Sequence, residues 1–337
     1  MVTDDQLTVS KAIQRRTGRT FHIATRLLPK DIRQATYVLY AFFRIADQVV
    51  DDPDPLPPAQ QLAELTHIRE AALGNVSTDD AVLAAFAKVR ERYDIPREEV
   101  STFIAAMEAD VSAEPDDTVS VAFEDDEQRD EYLRGSAVAV GYMMLALMEP
   151  DDPEAARPHA RALAEAFQLT NFLRDVREDL ELYRRIYLPK TTLDRCNATV
   201  DDLLDRRSTP AIRQAIRYEL ERTEERYRMG VAGIKQLPQG CQFAVLLAAV
   251  FYSEYHRLIR KQRYEVLEAR PAITLPRYLL LIARTAWHWY RTDDPETTFY
   301  RVSPVAPPTD DDITTKQSKL WRPVHRVRKH LRWGWFE

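Results

Sequence analysis

From residue 6 to residue 291 apolar side chains recur every three to four positions, segment after segment, and no stretch alternates convincingly as a half-buried strand would. The periodic segments are 6–17, 31–51, 58–73, 79–93, 97–110, 124–148, 153–183, 200–206, 209–235, 239–268 and 274–291. A chain patterned this way buries its apolar stripes helix against helix, so an all-α fold is expected. The 8 Gly among 337 residues and the wealth of Ala, Leu, Arg and Glu favour helix. Most of the 20 Pro fall between the periodic segments, where they punctuate. The breaks at 53–58, 112–120, 149–153, 185–199 and 270–276 are short and read as inter-helix loops. One domain over about residues 1–300 is therefore expected, followed by a tail over 301–337.

Composition excludes several classes. A formal net charge of −6 gives no basic surface for nucleic acid. The two cysteines, Cys196 and Cys241, form no CxxC and no disulfide framework, which points to a reducing, cytoplasmic compartment. The opening "MVTDDQLTVS" lacks the apolar core of a signal peptide, and "FAVLLAAVFY" (243–252) is too short to span a bilayer. No GxGxxG, P-loop or GxSxG is present, and the seven His have no zinc-ligand spacing. Arg outnumbers Lys, and Asp pairs recur; a high-salt cytoplasm and a GC-rich genome explain this equally well.

Two helices carry polar stripes where apolar seams belong. In "DIRQATYVLYAFFRIADQVVDD", Tyr40, Arg44, Asp47 and Asp51 share one face between mostly apolar neighbours. In "AEAFQLTNFLRDVREDL", Gln168, Asn171, Asp175 and Asp179 do the same. Carboxylates four apart repel, and when buried they take up a proton or need a cation. A hard divalent cation with oxygen ligands resolves the conflict, with its remaining positions left to water or phosphate. Two facing DxxxD pairs would thus hold Mg²⁺ (or Mn²⁺) and a diphosphate. A single DxxxD is more often a solvated face paired with Arg; two, each in an apolar helix, favour the clamp. Glu108 and Asp110 in "AMEAD" read as solvated surface. Asp52 points off the stripe.

These residues resemble the squalene and phytoene synthases, the head-to-head prenyl synthases of the all-α isoprenoid synthase fold. "RTFHIATRLLP" (19–29) is similar to the family's Ser-Phe…Leu-Pro segment, with Thr20 in place of Ser. "YVLYAFFRIADQVVDD" (37–52) is similar to its first aspartate motif, with Gln48 at the second position of DDxxD. "AFQLTNFLRDVREDL" (166–180) with "RIYLP" (185–189) is similar to the second. The segment "AVAVG" (137–141) keeps Gly141 but puts Val138 where the family has Gly. The resemblance spans about residues 10–292, and its details lie closest to phytoene synthases, including haloarchaeal ones.

The resemblance implies helices around a central apolar cavity and a reaction between two allylic diphosphates. Geranylgeranyl diphosphate is the implied substrate, with no need for NADPH. It implies catalytic roles for Asp47, Asp51, Asp175, Asp179, Arg44 and Arg174. The implied metal ligands are Asp47, Asp51, Asn171, Asp175 and Asp179. Thr20, Phe21, Tyr40, Tyr132, Gln168, Asn171, Tyr187 and Tyr252 would line the substrate region, and Phe21, Phe42, Phe167 and the "FAVLLAAVFY" helix would wall the cavity. A squalene or dehydrosqualene synthase acting on farnesyl diphosphate is the alternative. A non-catalytic lipid-binding member of the fold would be expected to lose clamp carboxylates, and all four are present. The stretch "KQSKLWRPVHRVRKHLRWGWFE" mixes seven cations with three Trp and suits an anionic membrane interface, or else a solvated tail. Peripheral membrane attachment is expected.

Overall fold

Proline sets where many of the helices begin. It lacks an N–H, and the first turn of a helix has none to satisfy internally. Pro29, Pro57, Pro96, Pro189 and Pro238 each stand directly before a helix, and Pro58, Pro210, Pro276 and Pro295 occupy first-turn positions. Elsewhere Asp and Thr cap: Asp80 accepts from the Val82 and Leu83 N–H groups, both at 2.8 Å.

The computed structural model describes residues 3–17, 19–52, 56–111, 120–121, 123–182 and 185–308. Its helices are α1 (Asp4–Thr17), α2 (Arg19–Thr25), α3 (Lys30–Asp51), α4 (Pro58–Ala72), α5 (Ala81–Arg92), α6 (Arg97–Asp110), α7 (Asp126–Leu133), α8 (Ala139–Met148), α9 (Pro153–Leu182), α10 (Lys190–Arg195), α11 (Val200–Leu204), α12 (Pro210–Ala232), α13 (Gln239–Lys261), α14 (Leu275–Thr292) and α15 (Pro295–Val302). The described residues up to Val305 form one compact unit. The basic, Trp-rich stretch 316–337 lies outside the described residues.

The fold is all-α, as the periodicity predicts. The 30-residue α9 runs through its middle. Leu163 and Ala166 pack with Tyr227 of α12 and the apolar side of α13. Leu173, Val176 and Leu180 pack against α10 to α12. Leu169 and Phe172 face Phe123 and Leu133. Helix α3 buries Val38, Leu39, Phe42 and Ala46 against α4, α5, α6 and α8. The two stripe-bearing helices thus belong to different packing clusters.

Three details depart from the periodic reading. The segment 124–148 is not one helix: Arg134–Val138 forms a π-helical turn between α7 and α8. The turn brings Ser136 and Ala137 onto the cavity described below, a common use of such bulges. Close approach here rests on Gly135 and Gly141. A Cβ on Gly135 would stand 2.5 Å from the Ala106 Cβ, and one on Gly141 2.8 Å from the Ala164 Cβ. Val138, in the place of a family Gly, is buried instead. Helix α13 stops at Lys261 rather than 268, because Arg263 and Tyr264 both take left-handed backbone (φ 54° and 65°). Finally, Ser120–Val121 and Arg185–Ile186 pair as a two-residue parallel ladder, which no alternation announces.

Candidate active site

The polar stripe of α3 and the upstream part of the α9 stripe open onto one cavity of about 410 Å³. Tyr40, Arg44 and Asp47 reach it from α3, Gln168 and Asn171 from α9, and Phe21 and Tyr252 from α2 and α13. Away from these groups the walls are mostly apolar: Val140, Gly141 and Met144, then Ala156, Ala160, Leu163 and Ala164, with Ala244, Val245 and Ala248 of α13; His159, Thr25, Thr36 and Ser136 are the polar exceptions. Ala156 and Asn171 lie fifteen residues apart on α9, about 22 Å at the helical rise. The cavity is therefore a long, mostly apolar pit with its charged and amide groups at one end.

Four rings gather at that end. Phe21 lies 6.0 Å from Tyr40, 5.7 Å from Phe167 and 4.8 Å from Tyr252, and Phe167 lies 4.7 Å from Tyr252. Burial, then Asp47, pushes the Tyr40 hydroxyl up to about 12, so it stays a neutral donor. Burial likewise drives Tyr252 well above its ordinary value. Both hydroxyls feel the Arg174 cation, which brings the α3 and α9 stripes into one electrostatic neighbourhood.

Asp175 and Asp179 continue the α9 stripe one and two turns past Asn171. Arg174 grips the Asp175 carboxylate with two donors, its Nε at 2.7 Å, and lies 4.9 Å over the Tyr255 ring. Arg270, in the loop after α13, places its Nε 2.7 Å from Asp175 and its Nη1 2.7 Å from Glu178. Asp179 is in the opposite situation. Burial, then the negative charges of Asp175 and Glu178, push its carboxyl up to about 8. Two turns back on the same stripe, Asn171 Oδ1 is buried without a hydrogen-bond partner. Each of these groups, a carboxyl short of positive charge and an unpaired amide oxygen, is of a kind that a hard divalent cation takes as ligand. Among the described residues no three His, Cys, Asp or Glu groups form a ready-made cage. Mg²⁺ typically takes one or two carboxylates and shares its other positions with water and substrate. The side chains of Thr20 and Asp51 lie outside what the structure describes.

The Asp179 shift carries a sign that can be checked. Folded Asp179 holds its proton up to about pH 8, whereas its ordinary value is 3.8. The unfolded chain therefore releases a proton that the folded one keeps, and stability falls as pH rises through that window. Asp179→Asn is expected to raise Tm in metal-free buffer at pH 8.5, and by much less near pH 5. Mg²⁺ should raise the Tm of the parent more than that of the variant. Thermal melts at both pH values would show it; an unchanged or lowered Tm at pH 8.5 would remove the conflict from Asp179.

Some expected lining residues stand elsewhere. Phe42 stacks on Phe86 at 3.9 Å in the core, and its neighbour Phe43 takes the cavity wall, one residue being 100° of rotation on a helix buried nearly all round. Tyr132 and Tyr187 do not line the cavity. They join Phe123 and Phe172 in a second aromatic group, in which Phe172 and Tyr187 stack at 4.2 Å. This group adjoins the carboxylates, since Asp179 bears on Tyr187. Asp110, read as solvated surface, is mostly buried: it accepts from the Tyr132 hydroxyl at 3.1 Å and from Arg185 at 2.6 Å. Glu108 pairs with Arg69. Arg270 escaped notice because a lone Arg in a loop, far along the chain from Asp175, carries no periodic signal.

A deep, mostly apolar pit with Tyr40, Arg44, Asp47, Gln168 and Asn171 at one end defines a helical protein that can take a long apolar ligand with a polar head. Residues 14–277 match the family model of squalene/phytoene synthase. The phytoene synthase of Rhodobacter capsulatus is 30% identical over 292 residues, covering 85% of this chain and 82% of that one. The phytoene synthase of Mycobacterium tuberculosis is 31% identical over 281 residues, covering 81% and 85%. A dehydrosqualene synthase solved with a ligand superposes with a TM-score of 0.73 at 25% identity, covering 85% of this chain and 97% of that one. A squalene synthase from Alicyclobacillus acidocaldarius gives 0.67 at 24% identity, covering 77% and 95%, and supports the fold. The chain belongs to the squalene/phytoene synthase family.

Proposed function

We propose that the protein is a phytoene synthase, a prenyltransferase that joins two geranylgeranyl diphosphates head to head with release of diphosphate. The observation that carries the reading is the cavity's length along α9, about 22 Å from Asn171 at the polar end to Ala156 at the mostly apolar far end. A geranylgeranyl tail can lie along such a pit with its diphosphate among Tyr40, Arg44, Asp47 and Asn171. The names of the curated relatives support the same substrate.

The chain's residues serve three needs. The leaving diphosphate needs positive charge, and Arg44 and Arg174 supply it from two helices. Asp47, Asp51, Asn171, Asp175 and Asp179 would hold Mg²⁺ or Mn²⁺, which when bound neutralises charge on the diphosphate. The allylic cation left by C–O cleavage must be kept from water. The Phe21–Tyr40–Phe167–Tyr252 group lines the cavity end where that cation would form and could stabilise it, and the apolar walls exclude solvent. The double bond of the second substrate attacks this cation and a first proton leaves as the three-membered ring closes, giving a cyclopropylcarbinyl diphosphate. Its own ionisation releases the second diphosphate, and rearrangement and loss of a second proton give phytoene. No hydride enters, so NADPH is not required.

The similarity to a dehydrosqualene synthase favours farnesyl diphosphate as the second reading. A product assay separates them. Purified protein with geranylgeranyl diphosphate and Mg²⁺, without NADPH, is expected to yield phytoene by mass, and EDTA to abolish it until Mg²⁺ is restored. A thirty-carbon hydrocarbon from farnesyl diphosphate alone would move the assignment. Turnover that persists in chelator would remove the metal. Substrate and product both dissolve in a bilayer, so the enzyme is proposed to attach to one peripherally; no helix among the described residues is long and apolar enough to cross it.

A further inference from the structure

Helix α14 is amphipathic the wrong way round for a helix facing water. Its inner side buries Tyr278, Leu281 and Thr285, with Tyr278 edge-on to Phe251 of α13 at 4.9 Å. Its outer side is also apolar. Leu275, Leu279, Leu280, Trp287 and Tyr290 are 59%, 58%, 48%, 57% and 86% exposed. Leu275, Leu279, Ala283, Ala286 and Tyr290 follow one another at steps of three and four, which makes a continuous row. Single exposed apolar residues are ordinary, but a continuous apolar row that carries Leu275, Leu279 and Tyr290, with Leu280 and Trp287 exposed on the same helix, marks a surface that something covers.

The charges on this helix say what. Between Leu275 and Thr292 there is no Asp or Glu, in a chain that holds 53 of them. Arg284 and Arg291 are exposed beside the row, and the Arg291 guanidinium lies 4.6 Å over the Trp287 ring. Arg284 donates to the Arg301 carbonyl, which leaves its positive charge uncompensated there. Leu for depth, Trp and Tyr at the boundary and Arg at the rim suit an anionic bilayer surface. The basic stretch 316–337 has the same sign as this face and is a poor occupant. A second copy would bring a second set of Arg against the first, with no carboxylate on the row to pair them.

We propose that the outer face of α14 is the surface by which the protein docks on an anionic lipid bilayer. The inference deepens the peripheral attachment proposed above and rests on it. Leu275, Leu279, Trp287 and Tyr290 enter the interface, and Arg284 and Arg291 meet the headgroups. The helix lies in the plane of the membrane, and the chain's attachment does not depend on the basic tail alone.

The test uses the full chain. Both native cysteines are buried, so Leu279→Cys can be labelled selectively with an environment-sensitive fluorophore, and Gln214→Cys, exposed on α12, serves as control. With vesicles of phosphatidylcholine and phosphatidylglycerol, the probe at 279 is expected to shift to the blue and to be quenched by lipid-borne quencher. The control should stay silent, and pure phosphatidylcholine should give a weaker shift. Leu279→Ser with Trp287→Ser should lower co-flotation by about tenfold or more. Co-flotation with a silent probe at 279 would overturn this surface while leaving attachment elsewhere intact. A blue shift that needs no vesicles and grows with protein concentration would assign the face to a second copy and overturn the proposal. Equal shifts at 279 and 214 would do the same, and failure to float at all would sink peripheral attachment with it.

Discussion

Asp175→Asn and Asp47→Asn are each expected to lower kcat/KM for hydrocarbon formation by about a thousandfold or more, since each removes a charge proposed to organise the leaving diphosphate. The structure separates their effects on stability from that of Asp179→Asn. Asp175 is gripped by Arg174 and Arg270, and Arg174 is mostly buried. Neutralising Asp175 leaves the mostly buried Arg174 without its carboxylate and Arg270 with Glu178 alone, at a cost of about 1–3 kcal/mol, so Tm should fall by a few degrees. Asp179, four residues on, lacks such partners, and its replacement should stabilise the metal-free protein. Two carboxylates of one DxxxD thus act in opposite directions on Tm and in the same direction on turnover. Circular dichroism should show unchanged helix content for all three variants. Near-full turnover in Asp175→Asn with product confirmed by mass would sink the clamp.

The parts of this arrangement legible in the sequence were those written in helical periodicity. Helices α3 and α9 are long, apolar and interrupted by one polar stripe each, so Tyr40, Arg44, Asp47, Gln168 and Asn171 could be assigned to a shared site without knowing how the helices pack. Phe42 and Phe43 show where this stops. On a helix buried on most sides, two adjacent rings look alike in sequence, and only the position of α5, which brings Phe86 onto Phe42, decides which one is core. Tyr132 and Tyr187 came from resemblance alone. They stand beside the carboxylates rather than in the pit, because Phe172 of α9 and Phe123 draw them into their own cluster. The short helices α2 and α10 have seven and six residues, too few for a periodic signal. Asp110 was misread because its partners, Tyr132 and Arg185, come from elements far along the chain.

Ala160→Phe is expected to change which substrate the enzyme accepts. Ala160 lines the pit eleven residues before Asn171 on α9, about 16 Å along the axis, and Ala156 lies one turn deeper. A ring at 160 projects into the space that now separates α9 from Met144 and Met148 of α8, and removes about one helical turn of depth, 5.4 Å. That is comparable to the length of one isoprene unit, the difference between a geranylgeranyl and a farnesyl tail. The polar end, with Tyr40, Arg44, Asp47 and the aromatic group around Phe21, is left untouched. Turnover of geranylgeranyl diphosphate should therefore fall by about a hundredfold, while turnover of farnesyl diphosphate stays within about tenfold of the parent or rises. Because an added ring can also overpack the core, Tm is measured alongside. An uncoupled loss, equal for both substrates, would mean that the far end of the cavity does not gauge chain length and that the 22 Å pit has another use. A selective loss with Tm preserved would tie the choice between forty- and thirty-carbon products to the floor of this cavity.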